Sequence, residues 1–211
     1  SRQIATTGPI SITDYMTLCL LHPEHGYYPT RDPLGVSGDF ITAPEISQMF
    51  GELIGLWAVD VWLKLGSPKK FHLIELGPGN GTLMADMLRS AGVVPDFLAA
   101  AQINLIENSP RLKAKQAEAL SGHAPAWHDE LPDLEGAPII LIANEFFDAL
   151  PIHQYYFQEG GWHERLITNT ENGFAYTLSL EPTPVESAPS GSDGDIFETC
   201  PDGEAITANI S

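Results

Sequence analysis

The spacing of apolar residues changes character twice along this chain. Up to about residue 66 it is helical. Ser11-x-x-Asp14 reads as a capped start, and Met16, Leu18, Leu20 and Leu21 give apolar surface to a helix over 11–21. A second, longer helix is predicted from Pro44, the favoured first helical position, to a stop at Gly66. Ile46, Met49, Phe50, Leu53, Ile54, Trp57 and Val61 recur along it as the expected buried stripe.

From residue 71 short apolar runs alternate with amphipathic stretches. Strands are predicted over 71–76, 103–106, around 126 and over 139–143, with helices over 82–91 and from Pro110 behind the cap Ser109. The run Ile139-Ile140-Leu141-Ile142-Ala143 is apolar on both faces, as a buried parallel strand requires. Strand–helix alternation predicts an α/β fold with a doubly wound parallel sheet, whose ligands bind beyond the carboxyl ends of the strands. After Pro151 the period shortens to strands over 154–158, 162–168 and 174–180, with turn signals at Glu159-Gly160-Gly161 and Asn172-Gly173.

These patterns divide the chain into an N-terminal helical segment (1–66) and an α/β domain (67–211). The α/β part carries an antiparallel β insertion at 152–180 and a Pro/Ser/Gly/acid run at 181–195, expected to be a mobile loop. Few core strands can be placed, so the C-terminal strands of the sheet are expected to be missing from this chain.

Composition narrows the function classes. The chain has 211 residues, 43 % of them apolar, which is enough for a sizeable core. No apolar run reaches the roughly 18 residues that would span a bilayer, so no membrane insertion is expected. Ten basic against 28 acidic residues give a net charge of −18. That excess argues against nucleic acid and allows a basic protein partner. Cys19 and Cys200 make no disulfide framework, which fits a reducing compartment. No cluster of Cys and His has metal spacing, and no metal is expected.

The chemistry concentrates at the carboxyl ends of the strands. Glu75 precedes Gly77-x-Gly79-x-Gly81, a turn in which the backbone N–H groups can approach a ligand with no Cβ between. A dinucleotide fingerprint needs a third glycine or alanine at position 82, which is Thr82, and this undercuts a nicotinamide-dependent oxidoreductase. An acid two residues before G-x-G-x-G resembles motif I of class I S-adenosylmethionine methyltransferases. In that reading Glu75 accepts from the methionyl ammonium, and Gly77, Gly79, Asn80 and Gly81 cradle the methionyl and ribose parts. Glu107, ending the next strand, takes both ribose hydroxyls, and Asp129 or Glu130 accepts from the adenine amino group. Asn144, Glu145 and Asp148 follow the fourth strand into the same crevice. Paired carboxylates there suit a planar guanidinium.

Longer strings carry a more specific resemblance. Gly26-Tyr27-Tyr28, Gly38-Asp39-Phe40-Ile41-Thr42-Ala43-Pro44-Glu45-Ile46-Ser47, Phe50-Gly51-Glu52, the glycine-turn segment and Asn144-Glu145-Phe146-Phe147-Asp148-Ala149-Leu150-Pro151 follow one another in that order. Together they resemble the MidA-like S-adenosylmethionine-dependent methyltransferases, related to the mitochondrial complex I assembly methyltransferase. The resemblance implies S-adenosylmethionine as cofactor and N-methylation of arginine on a protein substrate, for the mitochondrial members a respiratory complex I subunit. It also implies that Gly38, Asp39, Phe40 and Thr42 wall the cofactor pocket. A bacterial member would be cytoplasmic and a eukaryotic one would sit in the mitochondrial matrix. The rival reading is a complex-assembly chaperone that keeps the fold and uses Tyr155, Tyr156, Phe157 and Trp162 as an interface.

Overall fold

A computed structural model describes residues 2–22, 24–30, 42–134 and 136–210. In chain order the elements are α1 (Arg2–Thr7), β1 (Ile10–Ser11) and α2 (Ile12–Met16), which continues as a π-helical turn (Thr17–Leu21). Next come α3 (Tyr27–Thr30), α4 (Ala43–Ile46), α5 (Gln48–Lys64), β2 (Phe71–Leu76), α6 (Thr82–Ala91) and α7 (Pro95–Ala100). They are followed by β3 (Ala101–Ile106), α8 (Pro110–Ala119), β4 (Ala126–His128) and β5 (Ile139–Ile142). A 3-10 turn (Phe147–Ala149) leads to β6 (His153–Gln158), β7 (Gly161–Thr170), β8 (Gly173–Leu178), β9 (Ile196–Thr199) and α9 (Pro201–Ile210). By packing, residues 1–31 and 149–211 form one compact unit and residues 32–148 another, whereas the apolar spacing puts a boundary at 66/67.

The unit of residues 32–148 holds a four-stranded parallel sheet in the order β4-β3-β2-β5. The strands grow outward from β2 through β3 to β4, and the chain then returns to the other side of β2 as β5. That reversal between β2 and β5 is the place where an open α/β sheet forms its ligand crevice. Phe71, Leu73, Leu105 and Ile140 pack in one cluster with Trp62 of α5, Met84 and Met87 of α6 and Phe97 of α7. β2 is paired on both sides and is buried along its whole length.

Two expectations are corrected in this unit. The run at 139–143 is not a fully buried central strand. Among the described residues β5 pairs only with β2, and Ile139 is left 39 % exposed. The helix predicted from Pro44 to Gly66 is broken at Ser47, whose φ of −147° and ψ of 116° are extended. Its buried face also differs from the predicted stripe: Met49, Leu53 and Trp57 are exposed, while Gly51, Gly55, Ala58, Val59 and Trp62 are buried. Close approach to α6 selects that face, because a Cβ on Gly55 would lie 2.3 Å from Ser90 Oγ and 2.4 Å from the Met87 carbonyl oxygen.

The other unit is built on an antiparallel sheet. β7 pairs with β6, β8 and β1, and β6 pairs with β9 on its far side. The predicted hairpin is present, and Glu159 (φ 50°) and Gly160 (φ 82°) both take the positive φ of a type I′ turn. Ser11 caps α2 as read, its Oγ accepting from the Asp14 N–H at 2.9 Å. Residues 181–195 contain no helix or strand, as expected of a loop, and are tied to the sheet. The Trp162 indole donates to the Pro189 carbonyl at 3.0 Å, Thr183 N–H donates to the Trp162 carbonyl at 2.7 Å, and Gly194 N–H donates to the Phe157 carbonyl at 3.0 Å. Aromatic anchors hold a stretch whose composition alone specifies nothing. Tyr155 and Trp162 are themselves buried, which removes half of the proposed aromatic interface.

Candidate functional site

The glycine turn follows β2 where the sequence placed it. Gly77, Gly79 and Gly81 have φ of 60°, 54° and 83°, the left-handed region that other residues enter only at a cost. A side chain would clash at the first and be tightly crowded at the third. A Cβ on Gly77 would meet Phe146 Cδ2 at 2.7 Å, and one on Gly81 would meet Gln116 Cα at 3.2 Å. Thr82 opens α6 directly behind the turn, so the turn leads into the N-terminus of a ten-residue helix.

Glu75 is 3 % exposed, and its Oε2 has no hydrogen-bond partner among the described residues. Burial pushes its carboxyl up to about 8, against a smaller lowering by the Met84 backbone N–H. An isolated buried carboxylate oxygen is expensive to maintain, and here it lies beside the glycine turn. Glu107 leaves β3 half-buried, and burial raises its carboxyl also. Its Oε1 accepts from Ser109 N–H at 2.8 Å and its Oε2 from Gln116 Nε2 at 3.3 Å.

Three residues without an assigned role in the sequence reading hold this wall. Glu45 Oε1 accepts from Thr82 Oγ1 at 2.8 Å and from Asn80 Nδ2 at 3.2 Å, tying α4 to the turn. Lys115 Nζ donates to Asn80 Oδ1 at 3.3 Å. Gln116 is fully buried and donates to the Gly79 carbonyl at 2.8 Å. Its signal was present in the helical spacing: Leu112, Gln116 and Leu120 form one buried stripe, with an amide where an apolar residue is expected.

The other predicted positions fare differently. Thr42 is the N-cap of α4 and makes no side-chain capping bond. Gly38, Asp39 and Phe40 lie outside the described residues. Asp129 is 76 % exposed on its side chain and pairs with Lys113 Nζ at 2.6 Å. Asn144 is half-buried, and Glu145 and Asp148 are exposed. Glu145 has φ 50°, a left-handed conformation that carries a strain of about 1–2 kcal/mol for a residue with a side chain. The next residue, Phe146, lays its ring on Gly77, so the segments after β2 and β5 meet at the crevice.

A protein family described as "Putative S-adenosyl-L-methionine-dependent methyltransferase" matches residues 53–211. The chain belongs to that family. The Drosophila melanogaster protein arginine methyltransferase NDUFAF7 homolog, mitochondrial, is 40 % identical over 88 % of this chain and 48 % of its own length. The Homo sapiens protein arginine methyltransferase NDUFAF7, mitochondrial, is 35 % identical over 99 % of this chain and 54 % of its own. The chain therefore spans about half the length of the curated relatives it matches. A crystal structure from Burkholderia thailandensis, bound to S-adenosyl-homocysteine, superposes with a TM-score of 0.79 at 25 % identity, covering 99 % of this chain and 57 % of that one. That structure shares the fold described above, and no helix among the described residues is long and apolar enough to cross a membrane.

Proposed function

We propose that this chain carries the cofactor-binding part of a protein arginine N-methyltransferase that uses S-adenosylmethionine. Its substrate is a basic protein, a subunit of respiratory complex I or a similar protein. The observation that carries the cofactor reading is the unpartnered Glu75 Oε2, buried beside a turn of three left-handed glycines. Both features fit a ligand with an ammonium and a backbone-sized approach. The arginine reading is supported by the names of the relatives and by the two carboxylates after β5.

In this reading Glu75 accepts from the methionyl ammonium, Gly77, Gly79, Asn80 and Gly81 form the cradle, and Glu107 takes the ribose hydroxyls. Gly38, Asp39 and Thr42 contribute the pocket wall. Asp129 has the smallest share, since an ammonium already sits 2.6 Å from it. The bound cofactor supplies a methyl group activated by a sulfonium. The chain supplies alignment and charge: Asn144, Glu145 and Asp148 orient the guanidinium and offset the charge at the accepting nitrogen.

Calorimetric titration of the purified protein with S-adenosyl-homocysteine and with NADH tests the cofactor. Tight NADH binding with no S-adenosyl-homocysteine binding would overturn the reading. The substrate class is tested by incubating the whole protein and labelled cofactor with lysate from cells lacking it, followed by amino-acid analysis of the labelled protein. Label on methylarginine is expected, and label confined to another residue type would exclude arginine.

A further inference from the structure

Gln116 stands apart from the residues that would touch a ligand, yet it reaches three of the elements that carry them. Its side chain is fully buried on α8. Trp127 Nε1, which can only donate, lies 2.9 Å from Gln116 Oε1 and so decides which end of the amide is oxygen. The amide nitrogen is then left with two hydrogens and has two acceptors in reach, the Gly79 carbonyl at 2.8 Å and Glu107 Oε2 at 3.3 Å. Ser109 N–H holds the other oxygen of the same carboxylate at 2.8 Å.

We propose that Gln116 is a positioning residue that sets the orientation of the Glu107 carboxylate, and with it the preference of the site for a ligand bearing a ribose diol. The inference rests on the cofactor reading above. A carboxylate can serve two vicinal hydroxyls only if its plane faces them, because each oxygen offers a limited set of lone-pair directions. Glu107 reaches the end of β3 on a side chain with three rotatable bonds, and nothing in the strand fixes its plane. The Ser109 N–H on one oxygen and the Gln116 amide on the other do, with the Asn108 N–H also acting on the carboxylate. Gln116 also fixes the height of the glycine turn relative to that plane, since the same nitrogen binds the Gly79 carbonyl. Asparagine would be too short to reach both acceptors, and glutamate would put a second acceptor where Gly79 and Glu107 need a donor.

A buried amide can also serve packing alone, and the test separates the two roles by ligand preference instead of by affinity or activity. The whole protein is titrated with S-adenosyl-homocysteine and with its 2′-deoxyribose analogue, and the ratio of the two affinities is the readout. The wild type is expected to prefer the ribose form by about 10- to 100-fold, the size of a lost hydrogen bond to a charged acceptor. Gln116→Met keeps the volume and removes all three hydrogen bonds. Its ratio is expected to fall below about 3-fold, whatever common weakening the loosened Gly79 contact gives both ligands. If both ligands weaken equally and the ratio is kept, Gln116 is packing only and the proposal fails.

Trp127→Phe gives an independent measurement should Gln116→Met not fold. It frees the amide to turn over, and the ratio is expected to drop by about 3-fold. An unchanged ratio in that variant also overturns the proposal. Wild type that binds S-adenosyl-homocysteine without ribose preference would sink the positioning role and leave the cofactor reading standing. Wild type that binds neither ligand would sink both.

Discussion

The two sides of the crevice are built in opposite ways. On the β2–β3 side nearly every polar atom is spoken for: Glu45 holds Asn80 and Thr82, Gln116 holds Gly79 and Glu107, and Ser109 holds Glu107 from behind. Among the described residues Glu75 Oε2 is buried there without a partner. On the β5 side, Glu145 and Asp148 are exposed, and Glu145 occupies a strained backbone conformation. Hydrogen bonds made in advance reduce the ordering cost of a ligand that is always the same. A side left open suits a ligand that arrives as part of another protein. The contrast fits the proposed reading, in which the cofactor takes the first side and the acceptor the second.

The contact between the two sides is the place to break the arrangement most severely. Gly77→Val puts a β-branched residue at φ 60° and a Cβ only 2.7 Å from Phe146 Cδ2. Loss of S-adenosyl-homocysteine affinity by at least about 100-fold is expected, from backbone strain plus displacement of the ring. Gly77→Ala combined with Phe146→Ala separates the two causes by calorimetry. If the double variant binds better than Gly77→Ala alone, the ring contributes to the loss. If it binds no better, φ alone is responsible and the two sides are less coupled than the geometry indicates.

Glu75 sharpens the comparison through pH. Its folded carboxyl titrates at about 8, above the ordinary value of 4.5, so between these values the folded state holds a proton that the unfolded state has lost. Stability from this group is therefore full below about pH 4.5 and is lost as pH rises toward 8. Glu75→Gln removes that dependence. Without ligand, the variant is expected to gain on the wild type in thermal unfolding steadily from pH 5 to about 8. An ammonium beside Glu75 favours its charged form, so binding near neutral pH should release a proton, seen as a calorimetric enthalpy that varies with the buffer. The variant should bind more weakly and release none. A wild-type enthalpy independent of buffer would remove Glu75 from the ligand.

What was legible in the sequence follows the range of the interactions. β2, the turn and α6 are specified locally, by an apolar run, three glycines and an amphipathic stretch, and their bounds were read correctly. The buried face of α5 was misread because the contact with α6 is made by Gly51 and Gly55, which carry no hydrophobic signal. Gln116 was missed because its partners, Gly79 and Trp127, lie 37 and 11 residues away, and only the fold brings an indole and a carbonyl to the same amide. Composition marks residues 181–195 as a loop but carries no sign of the hydrogen bonds that tie it to Trp162 and Phe157 outside the segment. Local pattern reports the strands and turns. It does not report which face a close approach selects, nor which buried amide joins two strands.

Strain at Glu145 provides the smallest and most discriminating effect. A left-handed residue with a side chain costs more than glycine in the same place, so Glu145→Gly should stabilise the protein by about 0.5–1 kcal/mol. Glu145→Ala removes the carboxylate and keeps the strain, and should leave stability within about 0.5 kcal/mol of the wild type. Both should bind S-adenosyl-homocysteine as the wild type does, because Glu145 lies on the open side of the crevice. Both should lose methyl transfer by about tenfold or more in the whole protein if the carboxylate faces the guanidinium. Stabilisation by glycine together with loss of transfer in both variants would mean that the strain is kept for the carboxylate it presents. Stabilisation with transfer intact would reduce Glu145 to a means of turning the chain so that Phe146 can cover Gly77, and the acceptor role would pass to Asp148 and Asn144.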